Sequence, residues 1–295
     1  MKSRSRRIDF TGYLFLLPYI ILFTFFLILP LAYGLWLSFM RYELTSPEAA
    51  GSHPATFVGL ANYREALADS WFRQSFFATL RFVGMTCPAT LILSLLIALA
   101  ISTIPDRRQQ IYRLAIFLPT MITISVAGLV WRWFYAPEFG VFNAFLAHFG
   151  VKIPWLTDTH WAMKSIVIMT LWWTVGGPVI ILLAGIRQIP DAYYEAAAID
   201  GAVGWRRTFH ITLPSLRPVL LFVVVLNVIG AFQVFGQPYV ITTGLPERST
   251  EVLLMYIYDV SFNNFRLGYG AAMSWILFLV IAIFSLIQFR LLREK

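Results

Sequence analysis

The side chains that most often carry enzyme chemistry are few in this chain of 295 residues and are not grouped. The four histidines, His53, His148, His160 and His210, include no pair at the spacing of metal ligands. Cys87, the single cysteine, lies in an apolar run, which favours a buried free thiol. We find no G-x-x-x-x-G-K-[ST] sequence for phosphate binding and no glycine-flanked nucleophilic serine. These absences argue against an active site, although a serine–histidine–aspartate arrangement assembled by folding stays open.

The segment 190–201 is the most distinctive polar stretch of the chain. Pro190 suits the first turn of a helix, and Asp191 favours the positive end of the helix dipole. Alanines follow, which are strong helix formers, and Gly201 can adopt the left-handed backbone conformation that ends a helix. We therefore predict a short helix outside the membrane, roughly 16 Å long at the usual rise per residue. It either enters a groove on a partner or rests on lipid headgroups as an interfacial helix.

Composition points to a membrane protein. Hydrophobic residues make up 59% of the chain and charged residues only 13%, about half the share of a soluble domain. The net charge of +8 does not indicate nucleic-acid binding, because the basic residues fall at several breaks between apolar runs.

Six apolar runs reach the length of about 20 residues that a membrane-crossing helix needs. The fold class predicted is an all-α polytopic membrane protein, with residues 1–295 forming one transmembrane domain. The predicted spans are 12–39, 76–104, 111–134, 165–186, 218–235 and 270–289, with a connection at 187–217 that carries the short helix.

Charges between the spans alternate in sign and predict the orientation. Basic residues dominate the two ends of the chain and every second connection: Lys2, Arg4, Arg6, Arg7, Arg107, Arg108, Arg113, Arg187, Arg206, Arg207, Arg217, Arg290, Arg293 and Lys295. The other connections carry the acidic residues Glu43, Glu48, Glu65, Asp69, Glu138, Asp158, Glu247, Glu251 and Asp259. Positively charged connections stay in the cytoplasm, so both termini are predicted to be cytoplasmic.

The predicted spans contain no aspartate or glutamate. Transporters driven by ion gradients place such groups in mid-membrane, so a self-sufficient secondary transporter is disfavoured. Arg81, Arg113 and Arg132 lie near span ends, where we expect their side chains to extend to the membrane interface.

The connection 187–217 resembles the EAA loop of binding-protein-dependent ABC importer permeases. Glu195-Ala196-Ala197, then Gly201, then Ile211-x-Leu213-Pro214 match every defined position of that motif. Further stretches resemble the sugar-type permeases of the maltose and glycerol-3-phosphate class, closest to the first of their two permeases: Tyr13–Pro18, Phe57–Tyr63, Phe117–Pro119, Trp131–Phe134 and Leu267–Ala272.

This resemblance implies a permease subunit, not an enzyme, in a bacterial or archaeal cytoplasmic membrane. It implies a second homologous permease, two ATP-binding subunits that hold ATP and magnesium, and an extracytoplasmic solute-binding protein. It also implies that the short helix is a coupling helix that docks on one ATPase, with Glu195 against a basic group. The residues assigned to this role are Tyr194, Glu195, Ala196, Ala197, Asp200, Gly201, Ile211, Leu213 and Pro214.

The expected substrate is a carbohydrate or polyol, with a charged derivative such as glycerol 3-phosphate as the alternative. Candidate residues of the substrate path are Asn227, Gln233, Gln237, Trp172 and Trp173. The amides could instead form helix–helix hydrogen bonds, and the tryptophans could serve as packing or interfacial anchors.

Overall fold

The structure, a computed structural model, describes residues 11–44 and 55–292. Helices make up most of this part of the chain. Four of its helices are long and apolar enough to cross a bilayer, and up to six spans result when each of two bent pairs counts as one. The prediction of a helical chain with several possible membrane spans is therefore confirmed. The predicted topology residues Lys2, Arg4, Arg6, Arg7, Glu48, Arg293 and Lys295 lie outside the described residues.

Short connections join the helices. In chain order the helices are α1 (Thr11–Phe23), α2 (Leu29–Ser38), α3 (Ala61–Ala68), α4 (Ser70–Ser102), α5 (Asp106–Phe117), α6 (Ile124–Phe134), α7 (Val141–Ala147), α8 (Thr159–Thr174), α9 (Gly176–Arg187), α10 (Asp191–Ile199), α11 (Trp205–Arg207), α12 (Leu213–Phe232), α13 (Gly236–Ile241), α14 (Leu253–Tyr258) and α15 (Leu267–Leu292). Segments of π-helix at Thr24–Ile28, Thr208–Thr212 and Asp259–Asn263, and of 3-10 helix at Leu118–Met121, lie beside them.

A small antiparallel pair of strands, which the sequence did not predict, accompanies the helices. The strands are β1 (Met40–Arg41) and β2 (Thr56–Phe57), with Met40 opposite Phe57 and Arg41 opposite Thr56. Two residues are too few to show the alternating pattern from which strands are predicted, so the sequence carries no signal for this pair.

The described residues fall into two compact units. One comprises 11–44, 55–68 and 258–275, and the other 69–257 and 276–292. In the first unit, Arg266 forms ion pairs with Glu43 at 3.1 Å and Glu65 at 2.8 Å. Burial lowers the pKa of Arg266, but the hydrogen bonds to Glu65 and Glu43 outweigh it and leave the pKa above its usual value.

The second unit has an apolar core where α4, α9 and α12 pack. Its fully buried side chains include Val179, Leu182 and Leu216. Gly185 makes the close approach of α9 and α12 possible, because a Cβ there would lie 2.9 Å from the Leu216 side chain. This packing fixes the ends of α9 and α12 that carry the connection 187–217.

The predicted third span, 111–134, is not one continuous helix. Its two halves, Asp106–Met121 and Ile124–Phe134, meet at an angle of 95°. Pro119 lies in the 3-10 segment just before the break, and Ile122 and Thr123 have extended backbones with ψ of 134° and 144°. Proline removes a backbone donor, and here the helix ends within a few residues of it.

The predicted fourth span, 165–186, is longer and bent. It consists of Thr159–Thr174 and Gly176–Arg187, which meet at 48°. Gly176 allows the backbone of the third span to approach, because a Cβ there would lie 2.6 Å from the Ile116 carbonyl oxygen.

The second and fifth spans also start earlier than predicted. The second begins at Ser70, before the predicted 76–104, because the Asp69 carboxylate caps the helix by accepting from the Trp71 N–H at 2.8 Å. The fifth, predicted as 218–235, runs continuously from Trp205 to Phe232. Its prolines do not end it, since the π-helical turn Thr208–Thr212 leads directly into α12.

The first and sixth spans, Leu14–Ser38 and Leu267–Arg290, agree with 12–39 and 270–289 within a few residues.

Candidate functional site

The short helix predicted after Pro190 is present as α10, Asp191–Ile199. It ends at Gly201, whose φ of +75° is a left-handed conformation that glycine adopts without strain. The Gly201 N–H donates to Ala198 O at 3.1 Å, and the Ala202 N–H donates to Ala197 O at 2.8 Å. These two bonds form a Schellman motif, so the chain turns sharply as soon as the helix ends.

The motif residues of α10 are divided between two faces. Glu195 and Ala196 are exposed, whereas Ala197 is buried against the rest of the chain. Asp200 and Gly201 are exposed as well. The carboxylate and the first alanine are thus free to meet another molecule.

Tyr194 attaches α10 to the segment that leads into the fifth span. Its hydroxyl lies 3.3 Å from Thr212 Oγ1, and the guanidinium of Arg207 lies 5.1 Å from the centre of its ring. Ile211 and Leu213 are half-buried and Pro214 is exposed at this junction. The two parts of the motif are therefore in contact, so a displacement of α10 would act on Thr212, just before the N-terminus of α12.

A polar cluster holds the other end of the loop. Arg187, the last residue of α9, donates to Asp106 Oδ1 at 2.5 Å and to Gln109 Oε1 at 2.8 Å. Gln109 also accepts from Arg113 at 2.9 Å and donates to Ile104 O at 2.7 Å. The bonds of Arg187 could not be predicted from the sequence, because they depend on how α5 and α9 pack, whereas Arg113 and Gln109 are one turn apart on α5.

A cavity of about 370 Å³ lies between α4, α8, α9, α12 and α13, and we call it the central cavity. Its lining is mostly apolar and contains no charged side chain. The polar groups that line it are Thr86, Thr90, Thr170, Trp173, Thr174, Asn227 and Gln237.

Three of the five predicted path residues line the central cavity, namely Asn227, Gln237 and Trp173. Gln233 does not, since it is exposed at the end of α12, and Trp172 instead packs on Trp131 with ring centres 5.4 Å apart. The exposure of Gln233 leaves it available to a partner or to a path outside this cavity.

Unsatisfied hydroxyls distinguish one wall of the central cavity. Thr86 Oγ1 and Thr90 Oγ1, one turn apart on α4, are buried without a hydrogen-bond partner among the described residues. Thr170 and Thr174, by contrast, donate to carbonyls of their own helix at 2.8 Å. The spacing of four between threonines could have indicated this wall, but such hydroxyls usually bond their own helix backbone.

Asn227 and Trp173 each have a contact within the chain. The Asn227 amide donates to Cys87 O at a long 3.4 Å, which leaves most of its bonding capacity for other partners. The Trp173 indole donates to Ile122 O at 3.0 Å, and so it holds the break of the third span beside the cavity.

The chain is similar to known transport proteins over almost its whole length. The family described as the inner membrane component of binding-protein-dependent transport systems matches residues 13–294. The chain is 34% identical over 283 residues to the sulfoquinovosyl glycerol transport system permease protein SmoG of Agrobacterium fabrum, covering 96% of this chain and 90% of that protein. It is 33% identical over 284 residues to the sn-glycerol-3-phosphate transport system permease protein UgpA of the same organism, covering 96% and 94%.

Among solved structures, a bacterial ABC transporter involved in the import of the acidic polysaccharide alginate contains a chain of the same fold. The TM-score is 0.83 at 24% identity, with 97% of this chain and 96% of that chain covered. Since the family match extends over almost the whole sequence, this chain belongs to the inner membrane components of binding-protein-dependent ABC transport systems.

Proposed function

We propose that this chain is the permease subunit of an ATP-driven importer, which moves a carbohydrate or related polyol delivered by an extracytoplasmic solute-binding protein. The observation that carries the proposal is α10, an exposed helix that presents Glu195 and Ala196 between two spans. The sharp turn at Gly201 and the contact of Tyr194 with the fifth span also favour a docking helix over one that only covers the membrane bundle.

The surroundings of α10 favour a protein partner. Large apolar side chains are exposed along the loop: Ile199 is 88% exposed, Val203 69% and Trp205 67%, with Tyr193 and Phe209 also exposed. Exposed apolar groups concentrated in one segment mark interaction surfaces. We assign this surface to an ATPase subunit, with Glu195 facing a basic group of that subunit.

The assembly that follows has this chain as the first of two homologous permeases above two ATP-binding subunits. Six spans cross a bacterial or archaeal cytoplasmic membrane, and both termini face the cytoplasm. Residues 1–295 form one transmembrane domain in this proposal. Arg187 and Arg207 lie in the connection 187–217, which we call the coupling loop, and this fits the excess of basic residues on the cytoplasmic side.

In this scheme the ATPase subunit supplies the energy for transport. The chain lacks a phosphate-binding loop, so ATP and magnesium bind to the ATPase and this subunit has no catalytic role or cofactor. The four long candidate spans contain no aspartate or glutamate, which disfavours the alternative of an ion-driven secondary transporter.

The central cavity supports the substrate class. Hydroxyl, amide and indole groups in an otherwise apolar lining suit the hydroxyls and ring faces of a sugar. The relatives are named for transport of sulfoquinovosyl glycerol and of sn-glycerol 3-phosphate, so a charged derivative is the second candidate.

The test is a Glu195→Ala variant in a complex reconstituted with the ATPase and binding protein encoded beside this chain. Loss of a charge-assisted contact is expected to lower both uptake and substrate-stimulated ATP hydrolysis about tenfold. Glu138→Ala, which removes an exposed carboxylate far from the loop in sequence, serves as the matched control and should retain both activities. Unchanged coupling in the Glu195→Ala complex would contradict the proposal.

A further inference from the structure

A second large cavity, of about 640 Å³, shares no lining residue with the central cavity, and we call it the outer cavity. It is bounded by the first turns of α4, the start of α8 and the turn between α13 and α14. The orientation proposed above places this end of the bundle outside the cell. Its lining residues are Gln74, Ala78, Arg81, Met85, Thr159, His160, Met163, Lys164, Glu247 and Ser249.

The outer cavity differs from the central cavity in charge. It is lined by the cations Arg81 and Lys164 and by the single carboxylate of Glu247. None of the ion pairs of the described residues involves these three side chains. Two cations and an anion therefore line one cavity without neutralising one another through direct contact.

Lys164 is held in position from its own helix. Its ammonium donates to His160 Nε2 at 2.6 Å and lies 4.8 Å from the centre of the Trp161 ring. Arg81 is exposed and has no hydrogen bond or ion pair within the described residues, so its full set of donors is available to a ligand.

The turn that supplies Glu247 is fixed by several contacts. Glu247 and Arg248 have positive φ values of 50° and 57°, which non-glycine residues adopt only where the surroundings enforce them. Gln74 Nε2 donates to Glu247 O at 3.2 Å. Arg248 pairs with Glu251 and stacks its guanidinium 4.3 Å from the Trp71 ring centre. This turn places Glu247, which is exposed, among the residues that line the outer cavity.

We propose that the outer cavity binds an acidic saccharide, with its anionic group against Arg81 and Lys164 and a ring hydroxyl donating to Glu247. Guanidinium and ammonium donors bind carboxylates strongly through charge-assisted hydrogen bonds. A lone carboxylate beside them repels a second anion but accepts from a hydroxyl, so the donor and acceptor set matches a sugar acid better than a simple oxyanion.

This inference rests on the proposed importer function and narrows it to charged sugars. The outer cavity then selects charged sugars as they enter. The selected sugar moves on to the central cavity, whose uncharged polar groups contact its hydroxyls. A phospholipid headgroup with an ammonium group presents a similar pair of charges and is the competing occupant.

The test uses the full chain in nanodiscs of phosphatidylcholine, whose quaternary ammonium has no hydrogen to donate. Glucuronate and glucose are titrated in parallel, and their affinities are measured by saturation-transfer difference NMR. We expect glucuronate to bind about tenfold more tightly than glucose, and Arg81→Gln or Lys164→Gln to remove that preference. Arg73→Gln, an exposed arginine of α4 that does not line the cavity, and the exposed Lys152→Gln are the controls that should retain it.

Equal affinities for glucuronate and glucose would overturn the inference, as would a preference that survives in the Arg81→Gln protein. Loss of glucuronate binding when phosphatidylethanolamine is added would overturn it too, because the cavity would then hold lipid. ATP-dependent uptake by the complete complex is scored separately. Uptake without a charge preference contradicts only this inference, whereas an absence of any ATP-dependent uptake contradicts the proposed function.

Discussion

At the scale of single residues, the coupling loop depends on backbone conformation as much as on side-chain chemistry. Pro190, Asp191, the alanines that follow and Gly201 predicted a helix that ends in a left-handed turn, and α10 and its Schellman motif have that form. Such a local motif is predictable because each step depends on neighbours within a few residues. The burial of Ala197 beside the exposed Ala196 was not predictable, since it depends on where α10 packs.

Gly201 provides the first prediction. No atom lies within 4 Å of a Cβ built there, so a substitution meets backbone strain rather than a clash. We expect Gly201→Asn to retain coupling, and Gly201→Val to weaken it by destabilising the turn by about 1–2 kcal/mol. Substrate-stimulated ATP hydrolysis of the reconstituted complex measures this order. A Gly201→Val complex as active as the Asn variant would show that the left-handed turn is dispensable.

Asn227 distinguishes a substrate contact from a helix–helix hydrogen bond. Its bond to Cys87 O is long at 3.4 Å, so Asn227→Leu should cost little stability, while substrate contact in the central cavity should be lost. We expect the KM for uptake to rise about tenfold with a nearly unchanged thermal midpoint. The reverse pattern, a large fall of the midpoint with an unchanged KM, would assign Asn227 to packing.

At the scale of elements, the long helices follow from the sequence but their interruptions do not. The apolar run predicted one continuous span over 111–134, yet the helix breaks by 95° at the 3-10 segment, beside which the Trp173 indole donates to Ile122 O. The continuous helix through Pro214 shows the opposite case, in which a proline does not end a span. Whether a proline breaks a helix depends on tertiary hydrogen bonds that the local pattern does not contain.

Gln109 is the test of how α5 and α9 hold the coupling loop. It is 5% exposed, and its amide joins Arg187, Arg113 and Ile104 O. Gln109→Leu leaves these groups without their partner, so we expect a loss of about 1–3 kcal/mol in stability. Thermal unfolding in detergent is compared with Gln110→Leu, the exposed neighbour. Equal midpoints for the two variants would mean that the cluster contributes nothing.

At the scale of the whole molecule, composition predicted a membrane protein and the EAA-like loop predicted its family, and the family match confirms the inner-membrane component. The central cavity could be predicted only in part. Asn227 and Gln237 are recognisable as amides in an apolar run. The hydroxyls of Thr86 and Thr90, by contrast, become part of a cavity wall only when α4 packs beside α12.

The orientation of the chain is tested by labelling single cysteines in a Cys87→Ser background. Lys152 and Asp200 are both exposed, and the proposed topology puts them on opposite sides of the membrane. A membrane-impermeant maleimide added to intact cells should label Lys152→Cys but not Asp200→Cys. Labelling of Asp200→Cys alone would invert the topology and place α10 outside the cell, where no ATPase could reach it.

The most direct measurement of the central claim is substrate uptake into proteoliposomes. These contain this chain with the second permease and the ATPase encoded beside it, and the loaded binding protein is on the outside. We predict uptake that requires ATP inside the vesicles, requires the binding protein and is lowered about tenfold by Glu195→Ala. Uptake that proceeds without ATP, or that Glu195→Ala leaves intact, would contradict the claim that α10 couples this permease to an ATPase.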